Sequence, residues 1–464
     1  MDKNLEILRR AVARWQSKDG PAGPALDAKD LQAVYDVSLG ETGGDITELE
    51  HAINHYLDYS PDSSHPEFFK LLYSGVNEPA VLGDWVTALA NATMHTYQVG
   101  PVATLMELEL IRQWNALIGF KDGEGVMVSG GSQANMLGLM LARHRAAPEL
   151  KNCGFATLSK PPVLVAYTSD QSHYSYQRAV NILGVGQDNL VKVASNDAGE
   201  IYPQALEEAI KADIKLGKRP FFLGLTAGTT VSGAYDDIKA CSDVAKGHDV
   251  WLHIDGAWGG PALFSPTHKQ LLSNSELADS FAWDAHKLMN VPITAGAILV
   301  KQSGQLKDAC AGGGGEYLFH QDANAEFNLG ERSIQCGRRA DALKVWLSWK
   351  ARGHRGFAEK IDHLQAMKAR CVGLIGEHPE LEMLAPAPWL NVLFRNRPAG
   401  DHSEEELAKL NQDICRRIKQ DGGPYVDYAR YKGRLGIRLI IANELTSEAH
   451  LQKLINLIME RQRK

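Results

Sequence analysis

From about Gly125 to Val300 the chain repeats one pattern: a short apolar run, a few small or polar residues, then a longer amphipathic stretch. The apolar runs fall at 126–128, 163–167, 190–193, 221–225, 251–254, 280–283 and 295–300. Helical periodicity follows at 132–145, 203–216 and 237–246. Apolar runs that do not alternate with polar residues read as strands buried on both faces. Strands alternating with helices predict a mostly parallel central sheet flanked by helices, an α/β fold. Ahead of this block, residues 1–60 read as helical and acidic. There Leu5, Leu8, Val12 and Trp15 mark one face of an amphipathic helix, and Gly20, Pro21, Gly23 and Pro24 form a loop. A long helix is predicted over 102–118, opened by Pro101 and closed by Gly119.

The pattern breaks at 306–337, where four glycines, Gly312 to Gly315, stand beside Tyr317 in a polar stretch. A glycine run next to a single aromatic reads as a hinged flap, or else as a plain surface loop. A helix over 338–350 then leads to helices at 363–377, 404–420 and 447–461 and strands at 389–394 and 436–441, a small α+β unit. Arg438 lies inside the last of these apolar strands, and a buried arginine needs an anionic partner.

Composition narrows the class. With 464 residues, 44% hydrophobic and 23% charged, the chain has the make-up of a soluble globular enzyme of two or three domains. No apolar run approaches the ~20 residues of a membrane span, and residues 1–16 lack an apolar signal core. A net charge of −7 without a basic cluster argues against nucleic acid as a partner. The six cysteines show neither CxxC spacing nor a zinc pattern, so no metal site and a reducing, cytoplasmic setting are expected.

The candidate chemistry sits at the ends of predicted strands. The run at 251–254 ends on Asp255, and the run at 280–283 leads into Asp284, Ala285, His286 and Lys287. Taken singly, an Asp after a strand is most often a cap and a His-Lys pair most often surface. Together, a buried carboxylate and a buried amine suit pyridoxal phosphate. A lysine forms the Schiff base, and an acid keeps the pyridine nitrogen protonated so that the ring accepts electrons. Ser129, Gly130, Gly131 and Ser132 join a strand to a helix, where free backbone N–H groups can cradle a phosphate. The turn is not GxGxxG, and no Walker sequence occurs, which counts against a dinucleotide-dependent enzyme.

HIDGAWGG at 253–260 and DSFAWDAHKLMNVP at 279–292 resemble the group II pyridoxal-phosphate-dependent amino-acid decarboxylases. So do HPEFF at 65–69, SGGSQAN at 129–135, HYS at 173–175, TAGTT at 226–230 and IQCGRRAD at 334–341. The resemblance covers roughly residues 65–441 and keeps the family's motif order. It implies the fold type I (aspartate-aminotransferase-like) architecture. It also implies a helical segment at 1–64 packed on a partner subunit, a large cofactor-binding domain at 65–350 and a small domain at 351–464. A homodimer with active sites at the subunit interface follows from the same likeness.

Carried over position by position, the resemblance makes Lys287 the cofactor lysine and Asp255 the partner of the ring nitrogen. It places His173 over the ring and Gly131 and Ser132 at the phosphate. Thr226 falls near the phenolic oxygen, and Ala257, Asp284 and His286 fall around the cofactor. Tyr317 would be the general acid of a mobile loop, and Arg438 would hold the substrate's α-carboxylate. Three positions depart from the pattern. Asp284 stands where many members carry Asn, Gln98 replaces a common glutamate, and Leu71 replaces a glutamine that contacts a distal acid.

The implied reaction is decarboxylation of an L-amino acid. Within the family the motifs favour a small acidic substrate: aspartate or cysteine sulfinate, then glutamate. Without the glutamine at Leu71, His95 or Lys70 would have to meet the distal acid. The alternatives are a diaminobutyrate or aromatic decarboxylase, or another pyridoxal phosphate reaction on this fold.

Overall fold

Uninterrupted apolar runs form the seven strands of a central sheet. They are β1 (Glu124–Val128), β2 (Leu164–Ser169), β3 (Leu190–Val193), β4 (Arg219–Thr226), β5 (Trp251–Asp255), β6 (Ser280–Asp284) and β7 (Gly296–Val300). These and all other structural details come from a computed structural model that describes residues 2–23, 26–313, 315–320 and 322–462. Pro24 of the predicted first loop and Gly314 of the glycine run lie outside them. The strand order is β1-β7-β6-β5-β4-β2-β3. Strands β6, β5, β4, β2 and β3 pair in parallel, and β7 runs antiparallel to both β6 and β1. Every residue of β1, β2, β5, β6 and β7 is buried, as expected of strands covered on both faces.

Register fixes what the strands deliver. Thr226 on β4 lies beside Asp255 on β5, and Asp255 beside Ala282 on β6, so both polar side chains emerge at the same carboxyl edge. In an open α/β sheet that edge is where ligands bind. The helix Gly131–Ala146 covers the sheet, burying Ala134, Leu137, Leu139 and Leu141 in one core with Val126, Val128, Ala282 and Ile298. Each leucine so buried contributes about 1.5–3 kcal/mol. The helix Pro101–Ile118 begins on its proline and ends at Gly119 in the left-handed region (φ 94°), as the sequence predicts.

The chain divides into two compact units, one of residues 1–75, 370–384 and 394–464 and one of 76–369 and 385–393. The second holds the central sheet. The first holds a four-stranded sheet of β8 (Leu381–Met383), β9 (Asn391–Asn396), β10 (Asp427–Tyr431) and β11 (Arg434–Ile440), ordered β10-β11-β9-β8, apart from the start of β9, which falls in the second. Also in it are the helix Glu404–Gln420, opened by a Ser403–Glu406 capping box, and the helix Glu448–Arg461. Its N-terminal helices Asp2–Gln16 and Ile46–Tyr59 are tied by Arg10–Glu50 and Arg14–Asp58 ion pairs. Among the described residues no helix is long and apolar enough to cross a membrane.

Two expectations need correction. The helices predicted at 338–350 and 363–377 correspond to two helices within Ala342–Gly376, parted by non-helical backbone at Gly353 (φ 68°, ψ 173°), the first starting later and the second earlier than predicted. The polar sequence after Gly353 hides the early restart. Strands β8 and β10 have no counterpart in the prediction. β8 is three residues long, and β10 is too exposed to form an apolar run.

Candidate active site

Asp255 ends β5 with both carboxylate oxygens engaged. Oδ1 accepts from the Ala257 N–H at 3.1 Å, and Oδ2 accepts from Asn135 Nδ2 at 2.8 Å. Beside it, the Ala227 N–H donates to the Asp255 backbone oxygen at 2.9 Å. The Thr226 hydroxyl is buried and has no hydrogen-bond partner among the described residues. Its backbone is held on both sides by Asp236, whose Oδ2 accepts from Thr226 N at 2.7 Å and whose N–H donates to Thr226 O at 3.1 Å. Full burial pushes the Asp236 carboxyl up to about 7 against the pull of two backbone N–H groups, from Ile201 and Thr226.

Asp284 ends β6 beneath the glycine turn. A Cβ on Gly131 would stand 3.0 Å from its Oδ2 and 2.9 Å from Ala257 Cβ, and one on Gly296 would stand 2.6 Å from its Oδ1. Lys287 Nζ lies 3.3 Å from Asp284 Oδ2, and His286 Nε2 lies 3.7 Å from the same oxygen. Asp284 Oδ1 is buried without a hydrogen bond among the described residues. Gly130 (φ 142°) makes the turn, and no side chain caps the helix that starts at Gly131.

His173 belongs to the same cluster. Burial lowers its imidazole below the ordinary range, while the charges of Asp255, Lys287 and Asp284 are near enough to act on it. One β-rich edge thus brings Gly131, His173, Thr226, Asp255, Ala257, Asp284, His286 and Lys287 together. Ser132 follows Gly131 in the first turn of the same helix.

The remaining candidates have other surroundings. Tyr317 is 76% exposed. His95 is half-buried, its Nδ1 3.1 Å from Thr93 Oγ1. Gln98 Nε2 reaches Asp322 at 3.4 Å. Leu71, Lys70 and Arg438 belong to the other compact unit. Leu71 is partly exposed there, and Lys70 is engaged by Asp427 at 3.2 Å and by the Tyr425 ring at 5.1 Å. Arg438 lies opposite Asp427 in register, with its Nε buried and unbonded among the described residues. Burial pushes its guanidinium below the ordinary range.

Pyridoxal phosphate fits what the cluster offers. A helix start free of side-chain caps and a cradle that a Cβ would fill suit a phosphate. The unbonded Thr226 hydroxyl suits a polar ring substituent, and Lys287 supplies the amine that the cofactor's aldehyde needs. The structure also adds Asn135 and Asp236, which the sequence reading left without roles. Asn135 closes the SGGSQAN motif, and its spacing of four from Gly131 was the available signal.

The pyridoxal-dependent decarboxylase conserved domain matches residues 29–397. Human cysteine sulfinic acid decarboxylase is 33% identical over 460 residues, covering 97% of this chain and 93% of that protein. Human acidic amino acid decarboxylase GADL1 is 32% identical over 431 residues, covering 90% and 82%. The crystal structure of mouse CSAD superposes with a TM-score of 0.94 at 30% identity, covering 99% of this chain and 97% of that one.

Proposed function

Because the chain belongs to the pyridoxal-dependent decarboxylase family, we propose that its substrate is a small acidic L-amino acid, cysteine sulfinate or aspartate ahead of glutamate. It is a pyridoxal-phosphate-dependent amino-acid decarboxylase of fold type I. The carrying observation for the site is that the neighbouring strands β5 and β6 end on two buried carboxylates, Asp255 and Asp284, with Asp284 packed against the Gly131 turn and 3.3 Å from the Lys287 amine. For the substrate, the support is the likeness to relatives named for cysteine sulfinate and acidic amino acids.

Bound pyridoxal phosphate supplies the electron-accepting ring that takes up charge as CO₂ leaves. In our reading Lys287 tethers it, and Gly131 and Ser132 hold its phosphate through backbone N–H groups. Thr226, Ala257 and His286 line its edge, and His173 covers one face. Asp255, held at both oxygens, keeps a fixed negative partner for the ring nitrogen. Arg438, whose buried Nε lacks a partner among the described residues, is the group proposed to fix the substrate's α-carboxylate. Tyr317 is proposed to return a proton to Cα when its loop closes, and its exposure is compatible with a loop caught open.

A homodimer is part of the proposal. The helix Glu78–Ala90 leaves Leu82, Trp85, Val86 and Leu89 exposed, and the N-terminal segment leaves Val37 and Leu39 exposed, faces that a partner subunit would cover. The six cysteines are all unpaired thiols, which supports a cytoplasmic setting. The deciding experiment measures CO₂ release and product amine for cysteine sulfinate, aspartate, glutamate, 2,4-diaminobutyrate and tyrosine. A preference for either of the last two overturns the acidic assignment.

A further inference from the structure

His253 lies on β5 two residues before Asp255, fully buried, in a chain of hydrogen bonds that ends on the Asp255 carboxylate. Trp251 Nε1 donates to Ser280 Oγ at 2.8 Å, and Ser280 Oγ stands 2.8 Å from His253 Nδ1. His253 Nε2 is 2.9 Å from Asn135 Oδ1, and Asn135 Nδ2 donates to Asp255 Oδ2 at 2.8 Å and to Ser175 Oγ at 3.0 Å.

The direction of the chain follows from its two ends. An indole N–H only donates, and a carboxylate only accepts. Asn135 therefore turns its NH₂ toward Asp255 and its carbonyl toward His253, so His253 Nε2 carries the proton. Burial holds His253 at about 4, which makes the ring neutral near neutral pH and leaves Nδ1 as an acceptor. Ser280, already accepting from Trp251, then donates to Nδ1. Reversing any one of these groups sets two acceptors or two donors face to face, which is expensive in a dry interior.

The helix makes room for this ring. A Cβ on Gly138, three residues after Asn135, would stand 2.7 Å from His253 Nδ1. A glycine inside a helix costs roughly 1 kcal/mol against alanine, and here it admits the imidazole against the helix backbone. Phe222 and Tyr176 flank the ring at centroid distances of 5.8 and 6.4 Å.

We propose that Asn135 is a positioning residue for Asp255, and that His253, Ser280 and Trp251 lock the amide orientation on which this depends. The inference rests on reading Asp255 as the partner of the cofactor's ring nitrogen. With Asn135 on Oδ2 and the Ala257 N–H on Oδ1, the carboxylate is held against rotation. A loosened Asp255 grips the ring-nitrogen proton, and with it the cofactor, less well.

The test uses the full chain with ¹⁵N-labelled pyridoxal phosphate. His253→Leu keeps bulk and removes the donor, whereas His253→Gln places an amide N–H near the position of Nε2. His253→Leu is expected to bind pyridoxal phosphate roughly ten- to a hundredfold more weakly, the range for losing a hydrogen bond tied to a charged group. Its ring-nitrogen signal should move toward the unprotonated position, a change that general loosening of the core does not produce. His253→Gln should stay within about threefold of wild type and keep the signal. A His253→Leu protein with wild-type affinity and an unmoved signal overturns the inference. The ¹⁵N spectrum of wild-type His253 needs no variant, and a proton found on Nδ1 overturns the inference as well. Failure of the wild type to bind pyridoxal phosphate is a separate result, since that would remove the cofactor reading itself.

Discussion

The Lys287 amine stands 3.3 Å from the carboxylate of Asp284, the residue that closes β6 beneath the Gly130–Gly131 turn. The pair explains how a carboxylate is tolerated at this position: one oxygen is shared by Lys287 and His286, leaving the other buried and unbonded among the described residues. That charge still lies beside the proposed phosphate position, and like charges at ~4 Å repel by about 1–4 kcal/mol depending on the local dielectric. Asp284→Asn keeps the shape and removes the charge. We expect pyridoxal phosphate to bind about tenfold more tightly, read by titrating cofactor-free protein. Equal or weaker binding would mean that the phosphate does not feel Asp284.

Lys287→Ala should abolish CO₂ release, because no other amine in the cluster can tether the cofactor. Lys287 is at the rim of a packed site and is no part of the core in which Trp251 and Ala282 sit, so the fold should survive. Circular dichroism and CO₂ assays on the same sample separate loss of function from loss of fold. Residual turnover near the wild-type rate would end the assignment of Lys287.

The strands and their chemical ends were legible because a buried parallel strand writes itself as an unbroken apolar run. Thr226, Asp255 and Asp284 each end such a run, and the structure places each at the carboxyl edge. What the sequence concealed is lateral. Nothing in the spacing of Asn135, His253 and Ser280 says that they meet, because that contact depends on which strand lies beside which and on a helix crossing above. The two helices predicted around Gly353 are there, parted by that glycine, but the second resumes well before residue 363 because its largely polar first turns carry little apolar signal. Tyr317 was readable as a loop residue, and it lies exposed on one.

Stability should carry a mark of His253. Folded, the imidazole stays neutral down to about 4, whereas the unfolded chain takes up a proton below about 6.5. Between those values the unfolded state binds more protons. This group's contribution is therefore complete above about 6.5 and declines as the pH falls toward 4, by up to about 3 kcal/mol. Urea unfolding midpoints at a series of pH values should drop more steeply for wild type than for His253→Gln across that window. Parallel curves would show that the ring is not held neutral.

Tyr317→Phe removes the phenolic proton and keeps the ring's bulk. If the loop delivers Tyr317 to Cα, the variant should form amine about a hundredfold more slowly, within the range for losing a general acid. Part of the substrate should then appear as aldehyde with uptake of oxygen. Product analysis with an oxygen electrode checks both. The same amine at the same rate, without aldehyde, would leave Tyr317 as an exposed loop residue with no part in proton transfer.

The last prediction concerns the distal acid of the substrate. His95 is fastened through its backbone, whose carbonyl accepts from Gly330 N at 2.9 Å. Its neighbour Met94 is packed with Leu329 and Ala340. Nδ1 faces Thr93 Oγ1 at 3.1 Å, so Nε2 is the ring atom left to meet a ligand. Lys70, the other candidate, is already engaged by Asp427 and Tyr425. If His95 reads the distal acid, His95→Phe should lower kcat/KM for cysteine sulfinate and aspartate by about tenfold or more, the size of one hydrogen bond to a charged group. The loss should fall mainly in KM, because a group remote from the breaking bond binds ground state and transition state alike. Tyrosine, which has no distal carboxylate, should lose nothing. A variant as selective for acids as the wild type would take His95 out of the substrate site, and the distal group would then need a partner outside residues 93–95.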